Sequence, residues 1–400
     1  MAVENVESKA NHIDYRWKIL AMSYICQLSF ALVFQSIPPI LRLMISELKI
    51  THAQAGLLMS LFALPGIFVS IPGGIISDRF GMKKVGLASL ILMIVGTFFA
   101  GIGESFLLVG AGRIVSGIGA ITLAIILPQL VSRWFMHKEL GLGMGVFNTA
   151  MPLGAITSFN VLSIIGTNLG WRAPVLLTTI ASIIALLVFL LLFREPELMS
   201  REASTSVLFD VSSIGIPIWL VGLAWMWFNA AFISFLTFAQ DFFVSKGYEI
   251  ASASFLSSIV MMGSLFLSPL IGYLISKFGK EEALIIIGGT VLASLLFLIS
   301  TAPSPIFVLV LIGVFAAFVP APVFSLPSKI VKPQHLGLAF GILTTCLNVG
   351  VLAGPYLVGL AKDLTGEYTV SFYLMSLFTV LQAFTILLLP LVKSRKTQTE

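Results

Sequence analysis

Arg113 is the residue whose chemistry most needs an account. It stands in Arg113-Ile-Val-Ser-Gly117-Ile-Gly119-Ala120, within an apolar run that begins near Phe106. At 1.5 Å per residue the guanidinium lies roughly 10 Å along that run. If the run crosses a bilayer, this is near the middle of its ~30 Å hydrocarbon core. A charge at that depth is costly and faces a cavity or a partner. Two readings follow: an anion site or transport-coupling charge, or a hub donating hydrogen bonds to helix carbonyls and polar neighbours. A second concentration of chemistry is Gly74-Ile-Ile-Ser-Asp78-Arg79-Phe-Gly81-Met-Lys83-Lys84. Gly74 and Gly81 allow a tight turn and close helix approach. Asp78 is placed to accept charge-assisted hydrogen bonds from Arg133 or to cap an adjacent helix. Arg79, Lys83 and Lys84 also have a plainer reading, fixing topology by positive-inside bias, which leaves Asp78 unexplained.

The elements that must carry these residues are membrane spans. With 58% hydrophobic and 10% charged residues over 400 positions, the chain has too little polar surface for a water-soluble fold. A bilayer-spanning helix takes about 20 apolar residues. Such runs occur at roughly 17–41, 53–77, 85–103, 106–130, 140–165 and 171–193, and again at 214–238, 251–275, 283–300, 305–326, 336–361 and 370–392. The polar interval 194–213 reads as a linker, giving an N-terminal bundle of six helices (1–193) and a C-terminal one (214–400). The side bearing both ends takes most of the Lys and Arg, including Arg16, Lys83, Lys84, Arg133, Arg194, Lys277 and Lys329. Only Arg42, Lys49, Arg172, Lys246 and Lys362 fall opposite. Both termini are therefore expected in the cytoplasm, and the protein in the cell membrane. The shift that carries Gly81 onto Gly279 also places Ala53, Ala55, Leu58, Ser60, Phe68 and Gly74 on identical residues. Such a parallel repeat relates two halves about an axis along the membrane normal.

Every Asp, Glu and His falls in a loop or near a helix end, Asp241 included, so no titratable carboxylate is expected at mid-membrane. That favours exchange, facilitated movement or a charge supplied by the substrate over proton symport, with Asp241 the carboxylate to test first. Gln27 and Gln35 in the first span, Asn148 in the fifth, Trp227 and Asn229 in the seventh, and Asn348 and Tyr356 in the eleventh are candidate solute contacts. Each alone also reads as helix–helix glue or an interfacial anchor. With Arg113 they suggest a modestly polar central cavity of positive charge, suited to a small anion or zwitterion. Cys26 and Cys346 lie far apart in apolar runs and suggest neither disulfide nor metal site. No nucleophile–base pair, phosphate cradle or ATP-binding loop is present, so neither an enzyme nor a primary pump is expected.

The loop from Gly74 to Lys84 resembles the signature of the major facilitator superfamily, G-x-x-x-D-R-x-G-x-[RK]-[RK], and Arg113 to Ala120 resembles that family's fourth-helix pattern R-x-x-x-G-x-G-A. Gly272, Lys277, Phe278, Gly279 and Lys280 form the weaker second copy, with Ser276 where the first has Asp78. The resemblance covers essentially the whole chain. It implies an all-α integral membrane fold of twelve helices in two parallel-repeat bundles, and secondary active, facilitated or exchange transport of a small solute by rocker-switch alternating access, with Arg113 pointing to an anionic one. It also implies a cytoplasmic latch made of Gly74, Asp78, Arg79, Gly81 and Arg133. The expected partners are the solute and the lipid bilayer, with no nucleic acid, no cofactor, a monomer as the working unit and no coupling ion identified. The alternatives are efflux of lipophilic compounds, disfavoured because Gly145 to Gly154 lacks the family's drug-antiporter pattern, and a non-transporting receptor or scaffold, disfavoured by the lack of long soluble extensions.

Overall fold

The computed structural model describes residues 2–69, 80–135, 139–195, 215–302, 304–332 and 335–392, and among them there is no strand. Twelve helical segments are long and apolar enough to cross a membrane. They are α1 Tyr15–Leu48, α2 His52–Val69, α3 Met82–Gly101, α4 Phe106–Phe135, α5 Leu142–Leu169, α6 Arg172–Leu192, α7 Ile216–Ser245, α8 Ile250–Leu267, α9 Glu281–Leu298, α10 Pro305–Ile330, α11 Leu336–Thr365 and α12 Tyr368–Val392. Their number and order match the sequence expectation. An even number returns the chain to its starting side, here termed the terminal face, and the opposite side is the far rim.

Two boundaries move in ways that matter. The first span runs on to Leu48 past a break at Pro38-Pro39, where three residues form a 3₁₀ turn because proline supplies no N–H to continue the α ladder. The seventh helix continues through Phe242, Phe243 and Val244 to Ser245. Asp241 therefore lies within the last turns of a helix, near its end as the sequence placed it, yet is only 7% exposed.

Within each set of six, glycines let backbones touch. A Cβ on Gly96 of α3 would fall 2.2 Å from the Ser116 amide nitrogen of α4, and one on Gly263 of α8 would fall 2.4 Å from the Gly313 carbonyl carbon of α10. Lipid gives no hydrophobic drive between helices, so such close approach supplies the packing energy. Gly96→Val should therefore cost about 1–3 kcal/mol of stability, read as a lower thermal unfolding midpoint in detergent. Gly145→Ala, where nothing lies within 4 Å, should leave the midpoint unchanged. The third helix starts at Gly81, whose φ of +84° is in the left-handed region that glycine adopts freely, and its repeat counterpart Gly279 has φ +59°. Both copies of the loop thus turn on glycine. Large apolar side chains such as Leu107, Leu191 and Phe266 remain exposed, as lipid-facing surfaces require.

Candidate functional site

Arg113 of α4 is 2% exposed, and its donors go to backbone freed at two helix breaks. Pro38 removes the N–H that would bond the Phe34 carbonyl, and the Arg113 Nη2 donates to that oxygen at 3.2 Å. Its Nη1 donates to the Val33 carbonyl at 2.7 Å and reaches Ser36 Oγ at 3.4 Å. The second helix breaks at Phe62, where the cap N–H turns to Ser60, and Arg113 Nε donates to the released Leu58 carbonyl at 3.1 Å. The Phe62 ring lies 4.7 Å from the guanidinium carbon. No carboxylate among the described residues pairs with Arg113, so its charge is solvated by dipoles and an aromatic face and remains uncompensated. This is the hub geometry; in this conformation the guanidinium is committed to the protein itself.

The two sets of helices meet along a seam that starts at the far rim. Asp363 of α11 caps α2 from across the seam, accepting the His52 and Ala53 backbone N–H groups at 3.0 and 2.8 Å. His52 Nδ1 lies 2.9 Å from Asp363 Oδ1, and its Nε2 lies 3.5 Å from Asp241 Oδ2. Asp241 also accepts the Tyr368 hydroxyl of α12 and faces Arg42 at 3.9 Å. Deeper along α2 a Cβ on Gly56 would sit 2.3 Å from the Pro355 carbonyl oxygen. Ser60 Oγ donates to Val351 O at 3.0 Å, and Gly66 lies against the Asn348 amide. At the symmetry-related junction of α5 and α8, Asn160 Nδ2 donates to Ser258 Oγ at 3.2 Å, while Ser163 Oγ receives Ser254 Oγ at 2.8 Å and, from α7, Gln240 Nε2 at 2.9 Å. Ser60 and Ser258 are repeat mates. On the terminal face, by contrast, Arg16 pairs with Glu139 at 2.6 Å within the first set, and Lys329 pairs with Glu281 at 2.6 Å within the second.

The other sequence-selected residues separate. Gln27 and Gln35 are buried in α1, each with an amide oxygen that no donor among the described residues reaches. Asn348 is at the seam, bonding back to Thr344 O at 2.8 Å. Asn148 is exposed on α5, beside Thr149, which bonds Tyr24. Asn229 is spent on its own helix, donating to Trp225 O at 2.8 Å. Trp227 stacks on Phe378 of α12, within its own set. Tyr356 is 38% exposed and points away from the seam, since its neighbours Gly354 and Pro355 are the ones packed on Ala230 and Gly56. Of the latch, Gly74, Asp78 and Arg79 lie outside the described residues, whereas Gly81 starts α3 and Arg133 is in the last turn of α4. The second set has its own carboxylate despite Ser276: Glu281, two residues past Gly279, is buried, pairs with the exposed Lys329 and accepts Ser325 Oγ at 3.0 Å. Sequence reasoning missed His52, Asp363 and Tyr368. The capping box Thr51-x-x-Gln54 marked the start of α2, but nothing local showed that a carboxylate from α11 would join it.

The chain resembles known transporters along most of its length. It is 26% identical over 382 residues to the lysosomal dipeptide transporter of Danio rerio, covering 89% of this chain and 82% of that protein. It is 24% identical over 356 residues to the hexuronate transporter of Bacillus subtilis, covering 82% and 83%. A probable sulfoacetate transporter of Cupriavidus necator is 24% identical over 359 residues, covering 82% of each chain. The fold superposes on a variant of nucleoside transporter NupG with a TM-score of 0.80 at 15% identity, covering 94% of this chain and 99% of that one. The model of the Major Facilitator Superfamily matches residues 23–309 and 218–400. Twelve spanning helices, a glycine-turned loop repeated in both sets and a family match over nearly the whole length make this multi-pass membrane protein a member of the major facilitator superfamily, a transporter of small solutes rather than an enzyme.

Proposed function

We propose that the protein is a secondary transporter of a small anionic solute, working by rocker-switch motion of residues 1–193 against 214–400 about the linker 194–213. The observation that carries this reading is the one-sided seam. Cross-set contacts from His52 to Asn348 bind the far rim, while the two terminal-face ion pairs described above, Arg16–Glu139 and Lys329–Glu281, each stay within one set. A conformation closed on one face by contacts between halves is what alternating access requires of one of its end states. Closing the other face is the role we assign to Gly74, Asp78, Arg79, Gly81 and Arg133, and, for the second set, to Glu281 with Lys329. The basic bias of the terminal face supports cytoplasmic termini in the cell membrane, and the complete pair of bundles supports a monomer as the working unit.

The preference for an anion is supported by the uncompensated charge of Arg113. Buried without a carboxylate, it raises the potential of the core around it while staying bonded to α1 and α2. The solute contacts we assign nearest to it are Gln27 and Gln35, with Asn348 at the seam. The curated relatives named for hexuronate and sulfoacetate carry anions, which agrees with this field. Counterflow into proteoliposomes tests it: preloaded hexuronate, sulfoacetate or a dipeptide should accelerate entry of the labelled compound. Counterflow with cationic dyes alone would reject the anion reading in favour of lipophilic efflux.

A further inference from the structure

We propose that His52 is a proton-binding site completed only when the far rim closes, so that a proton taken up from the far side locks the gate. The proposal rests on the alternating-access reading above, since it assigns the proton to one of the two end states. The geometry is the argument. Both nitrogens of the His52 ring face carboxylate oxygens, Asp363 Oδ1 at 2.9 Å and Asp241 Oδ2 at 3.5 Å. A neutral imidazole carries one N–H and one lone pair, so whichever tautomer it takes, one lone pair points at an oxygen. Two N–H groups satisfy both carboxylates, and the ring then bears a positive charge.

The surroundings account for the other charges. Asp363 is already committed to the N-terminus of α2 through the His52 and Ala53 amides, which fixes its oxygens on the ring. Asp241 is held by the Tyr368 hydroxyl, with the half-exposed Arg42 at 3.9 Å. Lys362 lies over the Tyr368 ring, 4.6 Å from its centroid. Without a proton on His52, one of the two carboxylates faces a lone pair, and the buried Asp241 has only the outlying Arg42 as a cation; with the proton, the ring bridges α2 to both α7 and α11. His52 belongs to the first set and its two carboxylates to the second, so separation of the sets strips the ring of both partners at once. A solvated imidazole gives up its second proton near pH 6.5. Closing the rim therefore binds a proton and opening it releases one. The balance adds up: one H⁺ from the far-side solution forms one N–H bond, and no other group need change its protonation. Acid on the far side favours the closed rim.

The test reads the gate directly. Spin labels on Ser46→Cys of α1 and Ser252→Cys of α8, both exposed at the far rim, report the separation of the sets in nanodiscs between pH 5 and 8.5 without added solute. The closed population should rise as pH falls, by at most about tenfold in the closed-to-open ratio per pH unit, the limit for one linked proton. His52→Gln, which keeps a planar side chain but cannot gain the proton, should flatten the curve, and Asp241→Asn should flatten it too. A pH-independent rim in the wild-type protein, or an undiminished curve in His52→Gln, would overturn the proposal. Absence of counterflow by the wild type for every solute would instead strike at the transport reading, and the distance measurement does not depend on it.

Discussion

Gly56→Val should yield a folded protein that cannot close its far rim and transports at less than about a tenth of the wild-type rate. A Cβ at Gly56 would stand 2.3 Å from the Pro355 carbonyl oxygen, and the same seam brings a Cβ at Gly359 within 2.4 Å of the His52 carbonyl oxygen. These neighbours are backbone and cannot rotate away, so α2 and α11 would have to separate. The clash lies between sets, leaving packing inside the first set untouched, and valine in place of glycine costs an isolated helix nothing. Stability in detergent should therefore stay within about 1 kcal/mol of wild type, the usual range for a change that disturbs no core. Initial uptake rates together with the distance between labels on Ser46→Cys and Ser252→Cys check it: the labels should lie farther apart than in the wild-type background as uptake falls. Wild-type uptake by Gly56→Val would mean that the seam is not part of the transport cycle.

The second large effect concerns Arg113. Of the two readings its sequence context allowed, a transport charge or a hydrogen-bonding hub, the geometry makes the hub decisive for stability. Removing the guanidinium leaves the carbonyls of Phe34 and Leu58 without their side-chain donor, at about 1–3 kcal/mol for each buried group, while Val33 O keeps the Ser36 hydroxyl at 2.9 Å. Arg113→Ala should thus lower the unfolding midpoint markedly as well as reduce uptake. Arg113→Lys keeps the charge but cannot span both helix breaks with a single ammonium group. Lysine should therefore lose stability and yet retain the preference for anions in whatever folded fraction remains. Thermal unfolding in detergent, with uptake normalised to folded protein, separates the two roles. An alanine variant as stable as wild type would dismiss the hub.

Much of the fold could be read from composition and pattern, because lipid imposes a length and an apolar content on every span. The repeat was legible as well, since identical residues recur at a fixed shift from Ala53 to Gly81. Arg113 was found for the same reason, a lone charge in an apolar run. Its partners were not, because they are backbone carbonyls released by Pro38 and by the break at Phe62, and a carbonyl leaves no mark on the sequence. The rim cluster was hidden for a different reason. His52 and Asp363 are far apart along the chain, and Asp241, near the end of α7 as expected, showed nothing in the sequence of its burial against Tyr368 and His52. Polar residues chosen for being polar fared unevenly: Asn229 and Trp227 serve their own set, whereas Asn348 sits on the seam. Position relative to the seam, which periodicity does not encode, separates them.

The central claim is that the two sets move as bodies whose faces open in turn. Paired distance labels test it most directly, one pair at the far rim on Ser46→Cys and Ser252→Cys, the other at the terminal face on Lys84→Cys and Lys332→Cys. When an accepted solute is added, the two distances should change in opposite directions, one lengthening as the other shortens. Distances that rise and fall together, or that ignore a solute which the protein demonstrably carries, would contradict the account.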